Sequence, residues 1–448
     1  MKKNIFCKTI IFLALALVFS CSQDPIFYTI STEPKPEKPR IQGGPTNMVE
    51  FRRGAVPVMY VASGSLHCYA KAGKGAGKSG WDADEYSVQP PVDPNGRKVI
   101  GLAATSDHLY ALCIIGTGKE TVLWRIGPGV DDEWQDVKID TGSIYTLIQS
   151  VFADKGSGRL FAGAMNNSGS DFGILYLDDA SDPLKPVLKL LEIKDNTGKT
   201  VNTKMLSGAA SRKEGSETAH YLSTRGNGVY RVTETALSTG PSVVTQLKDF
   251  ANPDDEGKQN RLFMSMIQLA ADGPIIVIER DGGTFFEVRG SEFKPLTYAS
   301  NKATVASGKY ATGALAIWRN IDDEKEKILV AGIQGGLYTT STTTSYSHGY
   351  VEIALDENFK FDANGWLVIE APRPGGISPD TTVHHNFDRY TATIGKHPIN
   401  YMYQASKDID DNMIFFASTQ TAGLWSYRNR DDGWQWNAEG EDEPKNLP

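Results

Sequence analysis

A short phrase recurs along this chain of 448 residues. Its fullest copy is Lys327–Ile–Leu–Val–Ala–Gly–Ile–Gln–Gly–Gly–Leu–Tyr338. A run of strand-forming residues leads into a glycine turn, and a second run opens on an apolar residue and an aromatic. Six further copies are Val58–His67, Leu109–Trp124, Leu160–Tyr176, Ala219–Tyr230, Pro274–Phe286 and Met413–Trp425. Their anchors are His67, Trp124, Tyr176, Tyr230, Phe286, Tyr338 and Trp425, separated by 57, 52, 54, 56, 52 and 87 residues. A period near 50 residues is the mark of a repeat architecture.

Each hairpin has apolar runs around it. Val99–Ala104, Phe263–Leu269 and Ile399–Ala405 precede the second, fifth and seventh copies. Trp134–Val137, Val244–Leu247 and Trp434–Asn437 follow the second, fourth and seventh. Four short strands per period, seven times over, predict a seven-bladed β-propeller of four-stranded blades spanning residues 47–448. The reason is burial: one such sheet cannot cover its own apolar faces, whereas radial stacking covers both faces of each. Met48–Phe51 supplies the inner strand of the first blade. The closure of the ring is not legible at this stage.

Composition agrees with a turn-rich β fold, with 44 glycines and 10% aromatic residues. The formal net charge of −8 argues against a nucleic-acid partner, which needs a basic face.

The N-terminus carries an address. Met1–Lys2–Lys3 is basic, and Ile5–Phe19 is apolar apart from Cys7, Lys8 and Thr9. That is the build of a secretory signal and too short for a comfortable membrane span. It ends in Val18–Phe19–Ser20–Cys21, which resembles a relaxed bacterial lipobox with Phe19 where a smaller residue is usual. The resemblance implies a signal peptide over residues 1–20 and lipidation of Cys21. The protein would be exported and held on a bacterial membrane by acyl chains. Residues 21–46 then form the lipidated Cys and a Pro-rich tether, with Glu33–Pro39 alternating proline and charge. Cys68 and Cys113 fit either a disulfide or two buried thiols.

Propeller topology assigns the loops. Call the strands of a blade A to D from the axis outward. The B–C turns and the links from D to the next A lie on one face, and the A–B and C–D turns on the other. Arg225 and Arg280 stand just before the glycine turns of adjacent blades, where they read as solvated turn residues or as an anion site. The step of 87 exposes an interruption over about 358–395. It holds Trp366, His384, His385, Asp388, Arg389 and Tyr390, the residues placed here as a partner or ligand surface. If Tyr350–Leu355 is the outer strand of blade 6, this stretch emerges on the glycine-turn face. His384 and His385 are adjacent, so on a strand they point to opposite sides; no metal and no cofactor is expected. Asp408–Asn412 lacks the glycine and glutamate of a calcium loop and reads as an A–B turn.

The tail Asn429–Arg–Asp–Asp–Gly–Trp–Gln–Trp436 resembles a degenerate Asp-box of sialidase-like propellers, through Asp431, Gly433 and Trp436. Asp131–Trp134 is a weaker echo, and Phe51–Arg52–Arg53–Gly54 is similar to the start of that family without its isoleucine and proline. The resemblance implies a propeller, because Asp-boxes are structural turns. No arginine triad or carboxylate pair is assignable, so the expectation is a binding scaffold for a protein or glycan rather than an enzyme. A carbohydrate-active hydrolase and a structural subunit of an envelope complex are the alternatives.

Overall fold

The computed structural model describes residues 41, 45–70, 88–91, 98–116, 120–140, 142–154, 157–178, 186–193, 201–239, 244–249, 261–270, 273–279, 285–295, 310–319, 327–336, 338–340, 343–345, 350–355, 394, 398–405, 414–420, 422–430 and 433–439. They form seven successive antiparallel blades.

Blade 1 contains β1 (Asn47–Arg53), β2 (Val56–Ser63) and β3 (Ser65–Ala70). Blade 2 is β4 (Lys98–Ala104), β5 (Leu109–Ile115), β6 (Glu120–Ile126) and β7 (Gln135–Ile139). Blade 3 is β8 (Tyr145–Ala153), β9 (Leu160–Asn166), β10 (Phe172–Asp178) and β11 (Val187–Leu190). Blade 4 is β12 (Leu206–Glu214), β13 (Glu217–Thr224), β14 (Val229–Thr233) and β15 (Thr245–Gln246), with a short helix α1 (Glu234–Thr239) after β14. A further strand, β16 (Lys248–Asp249), pairs onward with blade 5. Blade 5 is β17 (Phe263–Gln268), β18 (Ile275–Glu279), β19 (Phe285–Arg289) and β20 (Glu292–Pro295). Blade 6 contains β21 (Tyr310–Arg319), β22 (Lys327–Gly336) and β25 (Tyr350–Leu355), with a hairpin of β23 (Tyr338–Thr340) and β24 (Thr343–Ser345) between the last two. Blade 7 is β26 (Ile399–Gln404), β27 (Phe415–Thr419), β28 (Leu424–Arg430) and β29 (Gly433–Ala438).

The apolar runs are continuous because both faces of each sheet are buried. Along β5, Leu109, Ala111 and Cys113 enter a cluster shared with blade 1, while Tyr110 and Leu112 enter one shared with blade 3. The period of 2 thus sends alternate residues to opposite neighbours. One cluster fills each of the six joints from blades 1|2 to 6|7. A seventh packs Met48, Met59 and Val61 of blade 1 against Ile414, Phe416 and Leu424 of blade 7. β1 lies beside β26, and the Leu424 N–H donates to the Ile41 carbonyl at 3.3 Å. This is the closure that the sequence left open. Cys68 and Cys113 are two buried thiols of the blade 1|2 cluster, with no disulfide between them.

Two joints are also tied at the rim. β7 pairs in parallel with β11, merging blades 2 and 3 into one eight-stranded sheet. β16 pairs in parallel with β20, so the chain leaving blade 4 also edges blade 5.

Small residues set the distance between blades. A Cβ on Gly163 of β9 would lie 2.8 Å from both Leu206 Cβ and Ser150 Oγ. A Cβ on Gly332 of β22 would lie 2.8 Å from Ile399 Cγ2. Both glycines occupy the same place in the repeated phrase, and both Leu206 and Ile399 open the inner strand of the next blade. A side chain there would push that strand away from the joint.

One expectation fails in blade 6. Gly335 and Gly336 do not form the B–C turn. They continue β22, paired with Ala311 and Tyr310, and Tyr338 belongs to the inserted hairpin. The third strand is Tyr350–Leu355, since Ala331 and Lys327 of β22 pair with Val351 and Leu355. The chain therefore leaves Leu355 opposite Lys327, on the A–B and C–D face, and re-enters at Ile399 opposite Thr419 on the other face. The premise that Tyr350–Leu355 is an outer strand does not hold, so the interruption is not assigned to the glycine-turn face.

Candidate functional site

The B–C turns are built locally by hydroxyl and amide side chains. At the end of β13, Thr224 Oγ1 accepts from Asn227 N–H at 3.1 Å and donates to the Gly228 carbonyl at 3.1 Å. Thr419 repeats this at the end of β27, accepting from Ala422 N–H at 2.9 Å and donating to the Gly423 carbonyl at 2.8 Å. Both threonines are fully buried, and Gly228 and Gly423 take φ of 70° and 75°, a region that favours glycine. In blade 3, Asn166 does the same work, its Oδ1 accepting from the N–H groups of Ser170 (3.1 Å) and Asp171 (3.3 Å).

The links into the inner strands are bonded to these turns, and the result is a continuous arc on one face. Thr146, at the start of β8, donates from Oγ1 to Asn167 Oδ1 at 2.7 Å. Asn166 Nδ2 donates to Asp171 Oδ2, and Asn202 Nδ2 donates to Asp171 Oδ1, each at 3.1 Å. Asn202, in the link before β12, also accepts on Oδ1 from Phe172 N–H and Lys204 N–H, each at 3.2 Å. Asn227 Nδ2 donates to the Asn202 carbonyl. Gly226 N–H donates to the Arg261 carbonyl at 3.1 Å, and Arg261 Nη1 donates to Glu279 Oε1 at 3.0 Å. The arc thus runs from the entry of blade 3 to blade 5. Burial, and then the charge of Asp171, push the Tyr145 hydroxyl above its usual pKa at the entry of blade 3.

Arg225 stands on this arc, exposed, with its N–H donating to the Met205 carbonyl at 2.8 Å. Arg280, Trp366, His384, His385, Asp388, Arg389, Tyr390 and Cys21, where lipidation is expected, lie outside the described residues, as does Asp408–Asn412. The contribution missed at the sequence level is that of the links. Asn202 and Lys204 precede β12, where no repeated phrase draws attention to them. The Ser–Thr pair before the glycine, Ser223–Thr224 and Ser418–Thr419, was a visible signal.

A second polar network sits on the opposite face, between blades 3 and 4. His220 is fully buried on β13. Its Nδ1 lies 2.7 Å from Ser211 Oγ and its Nε2 lies 2.8 Å from Glu234 Oε2. Arg159 donates from Nε to both Glu234 oxygens, at 2.9 and 3.1 Å. In the neutral ring the proton sits on Nε2, since a carboxylate only accepts. The residue types are those of a nucleophilic triad. Yet Ser211 is 4% exposed, His220 is 0% exposed, and the Phe161 ring packs 5.3 Å from the imidazole. No substrate carbonyl reaches that hydroxyl, and the network instead joins two blades.

The hydrogen bond from His220 pulls the Glu234 carboxyl down; burial opposes, Arg159 adds to the pull, and the pKa falls to about 2. A folded-state pKa below the ordinary 4.5 means stability is complete above that value and is lost as pH falls toward 2. Because the side chain is 35% exposed, solvent screening leaves a contribution of about 1–2 kcal/mol. Glu234→Gln is expected to flatten the acid limb of stability between pH 4.5 and 2 in urea titrations. An unchanged limb would refute the assignment.

Arg53 is also structural. It is 1% exposed, and it donates from Nη1 to the Gly127 carbonyl (2.6 Å) and from Nη2 to the Val130 carbonyl (2.9 Å) of the blade 2 C–D turn. Arg53 stands where the sialidase-like start has its isoleucine, and a neighbouring turn takes up its guanidinium; Arg52, which matches the motif's arginine, is exposed. In that turn, Asp132 Oδ2 accepts from Gly129 N–H at 2.7 Å. The Asp-box-like tail spans the β28–β29 hairpin, the C–D position expected for it.

No known family profile matches the chain, and no curated protein does. Among solved structures, the chain is similar to the β-propeller domain of Myceliophteria thermophila Cps50 (Swd1), at 9% identity and a TM-score of 0.46, covering 87% of this chain and 98% of that one. It is also similar to Saccharomyces cerevisiae Sqt1, at 9% identity and a TM-score of 0.47, covering 92% and 93%. YCF48 from Cyanidioschyzon merolae is 12% identical with a TM-score of 0.42, covering 86% and 95%. At such identities the likeness says nothing of what this chain binds.

Proposed function

We propose that this protein is an interaction scaffold that receives a protein partner on the face of the B–C turns and links, and that it is exported and lipid-anchored through Cys21. The observation that carries the reading is the hydrogen-bonded arc. Asn166, Asn202 and Asn227 lock the turns and the link of blades 3 and 4 to one another, and Gly226 N–H carries the bonds on to the link into blade 5. Such pre-ordering lowers the entropy cost of binding. Ile144 stands at one end of the arc with 64% of its surface exposed, an apolar contact offered on an otherwise polar rim.

The face reading is tested by crosslinking the full chain in bacterial envelopes. Ile144→Arg is expected to remove the captured partner while leaving the unfolding midpoint unchanged. Retention of every partner would overturn the choice of face.

The anchor reading rests on the lipobox-like Val18–Phe19–Ser20–Cys21 and on the tether that follows it. Growth with an alkynyl fatty acid is expected to label the wild type and not Cys21→Ser. Equal labelling of both would refute the anchor.

A further inference from the structure

The basic end of the arc has a feature the scaffold reading does not require. Lys204 has φ of 61°, the one non-glycine residue with positive φ among those described. A left-handed backbone is strained for a lysine and relaxed for a glycine. The strain is held in place by Asn202 Oδ1, which accepts from Lys204 N–H at 3.2 Å. Thr203 Oγ1 also donates to the Lys204 carbonyl at 3.2 Å. Its consequence is positional. The Lys204 side chain crosses the blade 4 turn, where a Cβ on Gly226 would meet Lys204 Cγ at 3.3 Å.

Two more cations come to the same place on the neighbouring loops. Arg225 is exposed and joined through its backbone to Met205, the residue after Lys204. Arg261 follows on the next link, bonded at its carbonyl to Gly226 N–H. Its guanidinium lies 4.8 Å from the Phe286 ring centroid and is steadied by Glu279. Two carboxylates lie beside them among the described residues: Glu279, ion-paired with Arg261, and Asp171, whose oxygens accept from Asn202 and Asn166. Three cations on three consecutive loops thus outnumber the two described carboxylates beside them, on a chain whose overall charge is −8.

We propose, building on the scaffold reading, that Lys204, Arg225 and Arg261 form a docking subsite for an acidic segment of the partner protein. The chain as a whole repels an acidic partner, and this corner attracts it, so charge sets the orientation of approach. The exposed Ile144 on the same arc favours a polypeptide carrying apolar residues over an acidic glycan. A strained lysine where glycine would be relaxed is the expected sign of a side chain kept for its charge.

The test uses the full chain and three probes: a fluorescent peptide alternating glutamate and leucine, its lysine counterpart, and oligogalacturonate. The acidic peptide is expected to bind saturably and to weaken as salt is raised, while the lysine peptide does not bind. Lys204→Gly should weaken the acidic peptide by about 5- to 10-fold, which is about 1–1.4 kcal/mol. The same substitution should leave the unfolding midpoint equal or higher, because the backbone strain is relieved. Arg225→Gln should weaken binding to a similar extent. Unchanged binding in Lys204→Gly overturns the proposal, and so does oligogalacturonate binding in place of the peptide. Envelope capture separates the two readings. Partners lost in Ile144→Arg but kept in Lys204→Gly would sink the acidic subsite alone, whereas partners kept in both would sink the scaffold face as well.

Discussion

Arg53→Met is expected to lower the stability of the propeller by about 3–5 kcal/mol. The substitution keeps most of the apolar stem and removes the donors. The Gly127 and Val130 carbonyls then lose charge-assisted hydrogen bonds in a site that is 99% excluded from solvent on the arginine side. Gly127 is half-buried and Val130 exposed, so the loss is that of two hydrogen bonds from a charged donor, about 1.5–3 kcal/mol each. The neighbouring exposed Arg52 supplies the control, since Arg52→Met should move stability by less than about 0.5 kcal/mol. Urea unfolding followed by tryptophan fluorescence measures both. Equal behaviour of the two variants would show that the blade 1|2 joint does not depend on Arg53.

A comparable loss is expected from Gly163→Val. The added carbons meet Leu206 Cβ and Ser150 Oγ at 2.8 Å, and the Leu206 backbone nitrogen at 3.1 Å. A backbone atom of an inner strand cannot rotate away as a side-chain tip can. Ser150 would also be pressed off its bond to the Leu206 carbonyl, now 2.8 Å. Overpacking of this kind costs about 3 kcal/mol or more. Gly158→Ala, at a turn where nothing lies within 4 Å of the added carbon, separates packing from glycine chemistry. Its φ of 72° restricts the expected cost to about 1 kcal/mol of backbone strain. If the two variants match, the close approach of blades 3 and 4 at Gly163 is not what stabilises the joint.

Much of the architecture was legible in the repeated phrase. Six of its seven anchors, His67, Trp124, Tyr176, Tyr230, Phe286 and Trp425, lie in third strands of their blades. These hairpins are short-range, so turn chemistry and alternation suffice to find them. Tyr338 failed for a non-local reason. Gly335–Gly336 is a good turn by composition, but pairing with Tyr310 and Ala311 extends β22 through it. Tyr350–Leu355 is an equally good strand, and only its pairing with β22 decides that it comes third.

The site was less legible, because its bonds join distant residues. Arg159 and Glu234 are 75 positions apart, and Asn202 reaches Asp171 across 31. Nothing local marks Asn202 or Lys204 as partners of a turn in another blade. Arg225 was found because it adjoins a glycine turn, and its neighbours were not.

The parallel pairings at the rim have a mechanical consequence. A strand at the free edge of a sheet can fray alone, breaking only the ladder on its inner side. β7 and β11 are each bonded on both sides, to their own blades and to each other. Detaching either one therefore breaks two ladders at once. Under a tangential load, blades 2 and 3 would move as one stiff panel; β16, paired only with β20, ties blade 4 to blade 5 through the chain and a single ladder. The arc of loops thus begins on the spliced panel, and a partner pulling on that end would strain the rim before it displaced blade 3 alone.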